Sequence, residues 1–425
     1  MHVVVVGGST QLGGVLLWRL IGQRKVKSIL AVDSIPPAAA SPKLKWTIAH
    51  PTDPGLERHC ENADAVIYAG FVEPNAAARL EAGPRIVTDA ARVAVPTLIG
   101  ISSCLASSDD TDAAPALERA LDATLAERPS TRVVKLRPGF MIGREIPDAL
   151  GRALRARQLP KVGECAPPVV WDDDVADAAV LALFGQARGA YALAAEPASN
   201  IEALAAAGGF RTAGVPRLLE QRSGRVSSAL VRLARGLPRQ HAWMRATREP
   251  SNIDTERARS ELGWQPSCAT AEAVMRRFGE EVPHRLDPRL TAFFRLSQTA
   301  SRRFSDADVS AEARRIDLTV HLRISGPNGG DFTLKITQGK PKLSSGVPRP
   351  LDAVIHTSAD TLLELLSGKL DVATARFGGK VRIQGEPLAS FVIVGLVTNF
   401  RRVTAASGAR GWTARRLERW FARGA

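Results

Sequence analysis

Aromatic side chains are scarce in this 425-residue chain. They make up 5% of it, and only two are tyrosines, Tyr68 and Tyr191. Proteins that stack nucleobases interleave aromatics with basic residues. No such patch is evident, so the formal net charge of +14 does not point to a nucleic-acid partner. Cysteine is also rare. Cys60, Cys104, Cys165 and Cys268 are scattered, fit no metal-ligand spacing, and provide no disulfide framework for a chain this long. No run of 18 or more apolar residues occurs, which excludes a membrane-spanning helix. The chain opens directly on "MHVVVVGG" with no basic n-region, so no secretory leader is expected. A reducing, cytoplasmic setting is the expectation, with peripheral contact at a membrane as an extension of it.

What is present is globular. Hydrophobic residues form 45% and charged residues 24% of the chain, and 425 residues suit two domains. The positive balance favours anionic surfaces or acidic ligands.

Residues 2–6 are a β-branched run, followed by glycines and a helical pattern over 12–20. Further strands are expected at "SILAVD" ending on Asp33, at 45–48, at 65–69, in "PTLIGISS" and in "TRVVKLRPG". Helical periods lie over 76–93 and 115–127. This alternation predicts βαβ units and a parallel sheet, buried on both faces. Beyond Gly139, "VVWDDDVADAAVLALF" reads as strand, acidic turn and helix, with Asp172, Asp173 and Asp174 placed to cap it. "GAYALA" is a short strand, and 200–280 is mainly helical. Pro283 and Pro288 flank a polar stretch where a boundary is expected. After Arg315 the period becomes two, with a hairpin through "GPNGGD". Ser358 is placed to cap a helix that Gly368 ends, and an apolar helix spans Leu388 to Val397.

The segment "VVVVGGSTQLGGVLL" puts glycines between a strand and a helix start, an arrangement that offers backbone N–H groups to a pyrophosphate. Gly7 suits the tight turn and Gly13 the close packing of helix on strand. Asp33, 20 residues past Gly13, can accept hydrogen bonds from ribose hydroxyls. An ordinary strand–helix turn with Asp33 as a turn residue is the competing reading.

Over residues 1–280 the chain resembles the extended short-chain dehydrogenases, the NAD-dependent epimerase/dehydratase group. The resemblance is carried by that loop and by "ENADAVIYAG", "LIGISSC", "LRPGFMIG", "WDDDVADAAVLAL" and "TERARSELGWQPS". It implies an α/β Rossmann-like doubly wound parallel sheet with NAD or NADP bound. Asp33 favours NAD, because a carboxylate repels a 2′-phosphate. The implied cofactor-binding residues are Gly7, Gly8, Ser9, Thr10, Gln11, Leu12, Gly13, Asp33, Ala69 and Ser102. There are departures. Thr10 stands at the central glycine of G-x-x-G-x-x-G, where a Cβ crowds the pyrophosphate and weakens binding; the alternative register, Gly8 to Gly14, puts Gln11 there. His50 takes the place of an aspartate near the adenine. The family's Tyr-x-x-x-Lys pair is missing from "APALERALDATLAE", and its catalytic hydroxyl aligns with Cys104. The expectation is therefore a catalytically degenerate domain. Glu118 is a conceivable substitute acid, read more simply as a solvated helix position.

Residues 290–400 resemble the sterol carrier protein type 2 family through "GGDFTLKITQGK", "DAVIHTSADTLLELLSGKLDVATARFGGKVRIQG" and the closing apolar helix. That implies an α+β domain with an apolar tunnel for a sterol, hopanoid-like lipid or acyl chain. Burial of apolar ligand surface drives such binding at about 25 cal/mol per Å². Candidate lining residues are Leu362, Leu365, Leu366, Phe377, Phe391, Val392, Val394 and Leu396, each of which could equally be plain core. Arginines among apolar residues over 217–248, and in "GWTARRLERWFARGA", suit helices lying on an anionic membrane or, equally, docked helices with solvated arginines. The expected organisation is a first domain over 1–282, a second over 290–400 and a basic amphipathic tail over 401–425. Together these form a lipid-handling protein. The alternative is an active NAD(P)-dependent oxidoreductase or epimerase acting on a lipid that the carrier presents.

Overall fold

A computed structural model describes residues 1–50, 53, 55–70, 76–105, 113–146, 149–214, 238–251, 253–283, 286–301, 315–405, 416 and 419. The chain divides into two compact units, Met1–Pro37 with Lys43–Glu280, and Ala38–Pro42 with Glu281–Ala425.

The first unit is built on seven parallel strands: β1 (His2–Val6), β2 (Ser28–Asp33), β3 (Leu44–Ile48), β4 (Ala65–Tyr68), β5 (Thr97–Ile101), β6 (Arg132–Pro138) and β10 (Gly189–Leu193). Their order is β10-β6-β5-β4-β1-β2-β3, with every pair parallel. The order reverses between β1 and β4. This is the Rossmann-like doubly wound sheet, and the crevice at its switch point is where such sheets take ligands. Four consecutive valines, Val3 to Val6, are fully buried, because successive side chains point to opposite faces and helices cover both. On one face Val4, Val6, Val66 and Leu98 pack with Ile86 of α2 (Ala76–Arg92) and Leu117 and Leu121 of α3 (Ala113–Glu127). Helices α1 (Gln11–Ile21) and α5 (Asp172–Phe184) pack on each other.

Beyond β6, strands β7 (Phe140–Ile142) and β9 (Val169–Trp171) form a small parallel pair, as do β8 (Gln158–Lys161) and β11 (Arg211–Gly214). The three aspartates lie in the first turn of α5, at its positive end as expected, but none of them caps it. The N-cap is Trp171, with no side-chain cap. Asp173 pairs with Arg19 and Arg277 and accepts from the Trp171 indole. Asp174 accepts the backbone N–H groups of Ser267 and Cys268, while Trp264 Nε1 donates to the Asp174 carbonyl. Two motifs about 90 residues apart thus fasten to each other.

The second unit carries a five-stranded mixed sheet, β14-β13-β12-β15-β16: β12 (Leu318–Ser325), β13 (Gly330–Thr337), β14 (Lys340–Ser345), β15 (Ala353–Ser358) and β16 (Arg382–Gly385). The β12–β13 hairpin forms as expected. A second hairpin, which the sequence does not announce, turns at Gln338 and Gly339, both at positive φ. A two-residue turn of that kind matches strand twist, but Asn or Asp usually precedes the glycine. Among the other described elements, α11 (Ala359–Ser367) is capped by Ser358 and closed by Gly368 in the left-handed region, and α12 (Val372–Phe377) is capped by Asp371. The last described helix, Ala389–Ala405, is longer than its expected span. Helix Pro288–Ser301 contributes Leu290, Phe293 and Phe294 to the core of the unit, and Phe294 stacks on Phe332 at 3.7 Å.

Candidate functional site

The glycine loop lies at the switch point. Gly7 sits at φ +88°, and a Cβ there would fall 2.0 Å from the Gly70 carbonyl oxygen; one on Gly13 would fall 1.9 Å from that of Gly7. Both glycines are thus demanded by the chain's own packing, whatever binds beside them. Thr10 caps α1. Its hydroxyl accepts the Gly13 N–H at 3.0 Å and faces the carbonyls of Gly7 and Ala69 at 2.8 and 3.1 Å. It occupies a helix-start donor that would otherwise be open to a phosphate oxygen. Gly8 is buried, Ala69 ends the β4 side of the loop, and Leu12 turns into the core. Gln11 reaches across to Asp172, donating from Nε2 at 3.1 Å.

Asp33 ends β2, as a ribose acceptor would, but is only 2% exposed. Its carboxylate accepts Ser9 N–H at 2.9 Å and Ser34 N–H at 2.8 Å, and the Ser9 hydroxyl donates to the Ile35 carbonyl. The residues fit a dinucleotide in backbone course, helix start and strand-end acid. The Thr10 hydroxyl already engages the Gly13 N–H, one of the helix-start donors such a ligand could use. His50 lies just past β3 and gives its N–H to Asp53 at 2.6 Å.

The opposite end of the crevice holds a cluster the sequence does not reveal. Ser102, just beyond β5, donates to Glu118 Oε1 at 2.6 Å; Arg137 at the end of β6 engages both Glu118 oxygens. The side chain of Glu118 is 16% exposed, so it is not a solvated helix position. Burial alone would raise its pKa, but the hydrogen bonds from Arg137 and Ser102 outweigh that and hold it below the usual range. One turn along α3, Asp122 pairs with Lys135 at 2.6 Å. Cys104, aligned with the family's catalytic hydroxyl, has its thiol pushed up to about 12 by burial. Both tyrosines are buried. Tyr191 is tied to Glu261 and the Arg188 carbonyl, and Tyr68 is buried under α2, which raises its pKa. The signal for the cluster was Glu118 and Arg137 facing one strand end, which becomes readable only once α3 and β6 are adjacent.

In the second unit, Leu362, Leu365, Leu366 and Val392 share one buried cluster with strands β12, β13 and β15. Phe377 and Phe391 do not enter it; they are 93% and 71% exposed, and Val394 is exposed too. The buried stripe of the last helix runs through Ala389, Val392, Ile393 and Val397, sharing only Val392 with the expected set. The Leu396 side chain lies outside the described residues. So do most of the two basic segments: 215–237, and 406–425 apart from Arg416 and Arg419, both exposed. Among the described residues, no group of three or more His, Cys, Asp or Glu could hold a metal ion, and no helix is long and apolar enough to cross a membrane.

Comparison with known proteins places a family on the second unit. Residues 297–390 match the SCP-2 sterol transfer family. No curated protein matches the chain. Among solved structures, MoeE5 in complex with UDP-glucose and NAD is similar at 20% identity and TM-score 0.47, over 64% of this chain and 96% of that one. UDP-glucuronic acid 4-epimerase from Bacillus cereus is similar at 12% identity and TM-score 0.48, over 64% and 96%. UDP-glucose 4-epimerase from Thermotoga maritima is similar at 14% identity and TM-score 0.47, over 65% and 98%. Likenesses this distant carry no argument about ligand or reaction.

Proposed function

We propose that this protein carries a hydrophobic ligand, a sterol, hopanoid-like lipid or acyl chain, in its second unit and holds NAD(P) weakly in a first unit that has lost the standard dehydrogenase chemistry. The observation that carries the reading is the match of residues 297–390 to a sterol transfer family, on a unit whose mixed sheet and helices enclose an apolar core. Loss of chemistry is supported by the Ser102–Glu118–Arg137 cluster. A proton donor is needed where hydride passes to a carbonyl, and Glu118 is held ionised there while Cys104 stays a neutral thiol. NAD is favoured over NADP because Asp33 ends β2. Weak binding is favoured because Thr10 competes for Gly13 N–H.

Cargo exchange at an anionic membrane is supported by Leu388, just before the last helix, and by Phe391 and Val394 on one side of it, all exposed, and by the net charge of +14. Native mass spectrometry of the full chain, mixed with a membrane lipid extract and NAD+, tests both sites together. The expected spectrum shows a lipid adduct that survives purification and a weaker NAD+ adduct. Absence of any lipid adduct overturns the carrier reading.

A further inference from the structure

Asp172 is 4% exposed; the other buried aspartates among the described residues, Asp33, Asp89, Asp174 and Asp287, find two backbone donors or an arginine. Its Oδ2 takes the Gln11 amide from the first turn of α1 at 3.1 Å, and its Oδ1 takes the N–H of Asp173 at 3.0 Å. A Cβ on Gly143 would fall 1.7 Å from Oδ2, so the neighbouring chain lies hard against the carboxyl and leaves no room for water on that side. Among the described residues no cation pairs with it. Around it, α1 presents Gln11, α5 presents Asp173 (paired with Arg19 and Arg277), and the segment after β7 presents Glu145. Burial first, then Asp173, push Asp172 up to about 7.

Gln11 is also the first residue of α1, where the helix start meets the glycine loop. An anion there gains from backbone N–H groups and the helix dipole, and it raises the energy of a negative charge one side chain away in a low-dielectric setting. We propose that Asp172 is a positioning residue of the dinucleotide cradle, which takes up a proton from solvent when a diphosphate occupies the start of α1. The proton bonds to a carboxyl oxygen of Asp172. The Gln11 amide, able to donate from nitrogen or accept at oxygen, keeps its tie in either state, so α1 holds its place while the local charge falls. This inference rests on the NAD(P) reading above.

The sign follows from linkage. A bound anion favours protonated Asp172, so affinity is greatest at low pH and falls as pH rises through the free protein's Asp172 titration. A shift of one pKa unit on binding corresponds to a tenfold change. Calorimetric titration of the full chain with NAD+ at several pH values tests this, because NAD+ carries no group that titrates near neutrality. Affinity should be roughly tenfold weaker near pH 8.5 than near pH 6, with net proton uptake visible as a difference between buffers of unequal ionisation enthalpy. Asp172→Asn should bind as tightly as the wild type does at low pH, with no pH dependence between these limits and no proton uptake. NAD+ binding by the wild type that is independent of pH and releases or takes up no proton overturns the inference and leaves the cofactor reading standing. No NAD+ binding at any pH overturns both. The buffer comparison needs only the wild-type chain, so the test survives a variant that does not fold.

Discussion

Ser102 donates its hydroxyl proton to Glu118 across 2.6 Å, and Arg137 grips the same carboxylate from β6. The bond joins the end of β5 to α3, and Glu118 there accepts one hydrogen bond from Ser102 and two from Arg137.

Removing that charge has a predictable cost. Glu118→Gln leaves Arg137 half-buried without its counter-ion, which should lower stability at neutral pH by about 1–3 kcal/mol. The folded pKa of Glu118 is depressed. The stabilisation is therefore present above its unfolded value near 4.5 and is lost as pH falls through the lower folded value. Thermal melts of both proteins should differ clearly at pH 7 and converge in strong acid. A gap that stays constant down to pH 3 contradicts the assignment.

Thr10→Gly tests the self-capping of the loop. Losing the hydroxyl frees Gly13 N–H and takes away the Cβ, while glycine replaces threonine at an N-cap for only a few tenths of a kcal/mol. Removing one competing hydrogen bond of about 1 kcal/mol should tighten NAD+ binding by roughly fivefold. Unchanged or weaker binding would mean that Thr10 does not stand in the phosphate's place.

The strands of the parallel sheet, the glycine turn and the caps at Ser358 and Gly368 were legible because each is a local device: β-branched runs, φ above zero, a hydroxyl before a helix. Other features were not. The last helix is apolar all round through "LASFVIVGLV", so its period cannot say which face is inward; the fold buries Ala389, Val392, Ile393 and Val397 and exposes Leu388, Phe391 and Val394. Asp172, Asp173 and Asp174 look alike in sequence. Only tertiary neighbours give them a Gln, two Arg side chains and two backbone N–H groups respectively. The Ser102–Glu118–Arg137 cluster is likewise a product of adjacency between elements.

Exposure separates the phenylalanines of the second unit. Phe294 is buried and stacked on Phe332, so Phe294→Ala should destabilise that unit by about 3–5 kcal/mol. Phe391→Ser removes a side chain that stands mostly in water and should leave the melting temperature almost unchanged. If this face docks on membranes, the same variant should co-sediment less with vesicles containing phosphatidylglycerol. Equal co-sedimentation at equal stability would remove Phe391 from that role.

Asp174→Asn tests the fastening between the start of α5 and residues 264–268. Asp174 is almost fully buried and accepts two backbone N–H groups, from Ser267 at 2.7 Å and Cys268 at 3.3 Å. An amide has one oxygen, so it can satisfy one of these donors while turning an NH2 toward the other. The shorter Ser267 bond should keep the oxygen, leaving Cys268 N–H facing a donor. An unsatisfied buried donor costs about 1–3 kcal/mol, and the loss should appear in chemical denaturation of the first unit. The Trp264 indole bond goes to the Asp174 backbone carbonyl, which the substitution does not touch. Trp264 fluorescence in the folded state should therefore stay the same while the midpoint falls. A shifted emission maximum in native buffer would mean that the carboxylate sets the course of that segment rather than only fastening it.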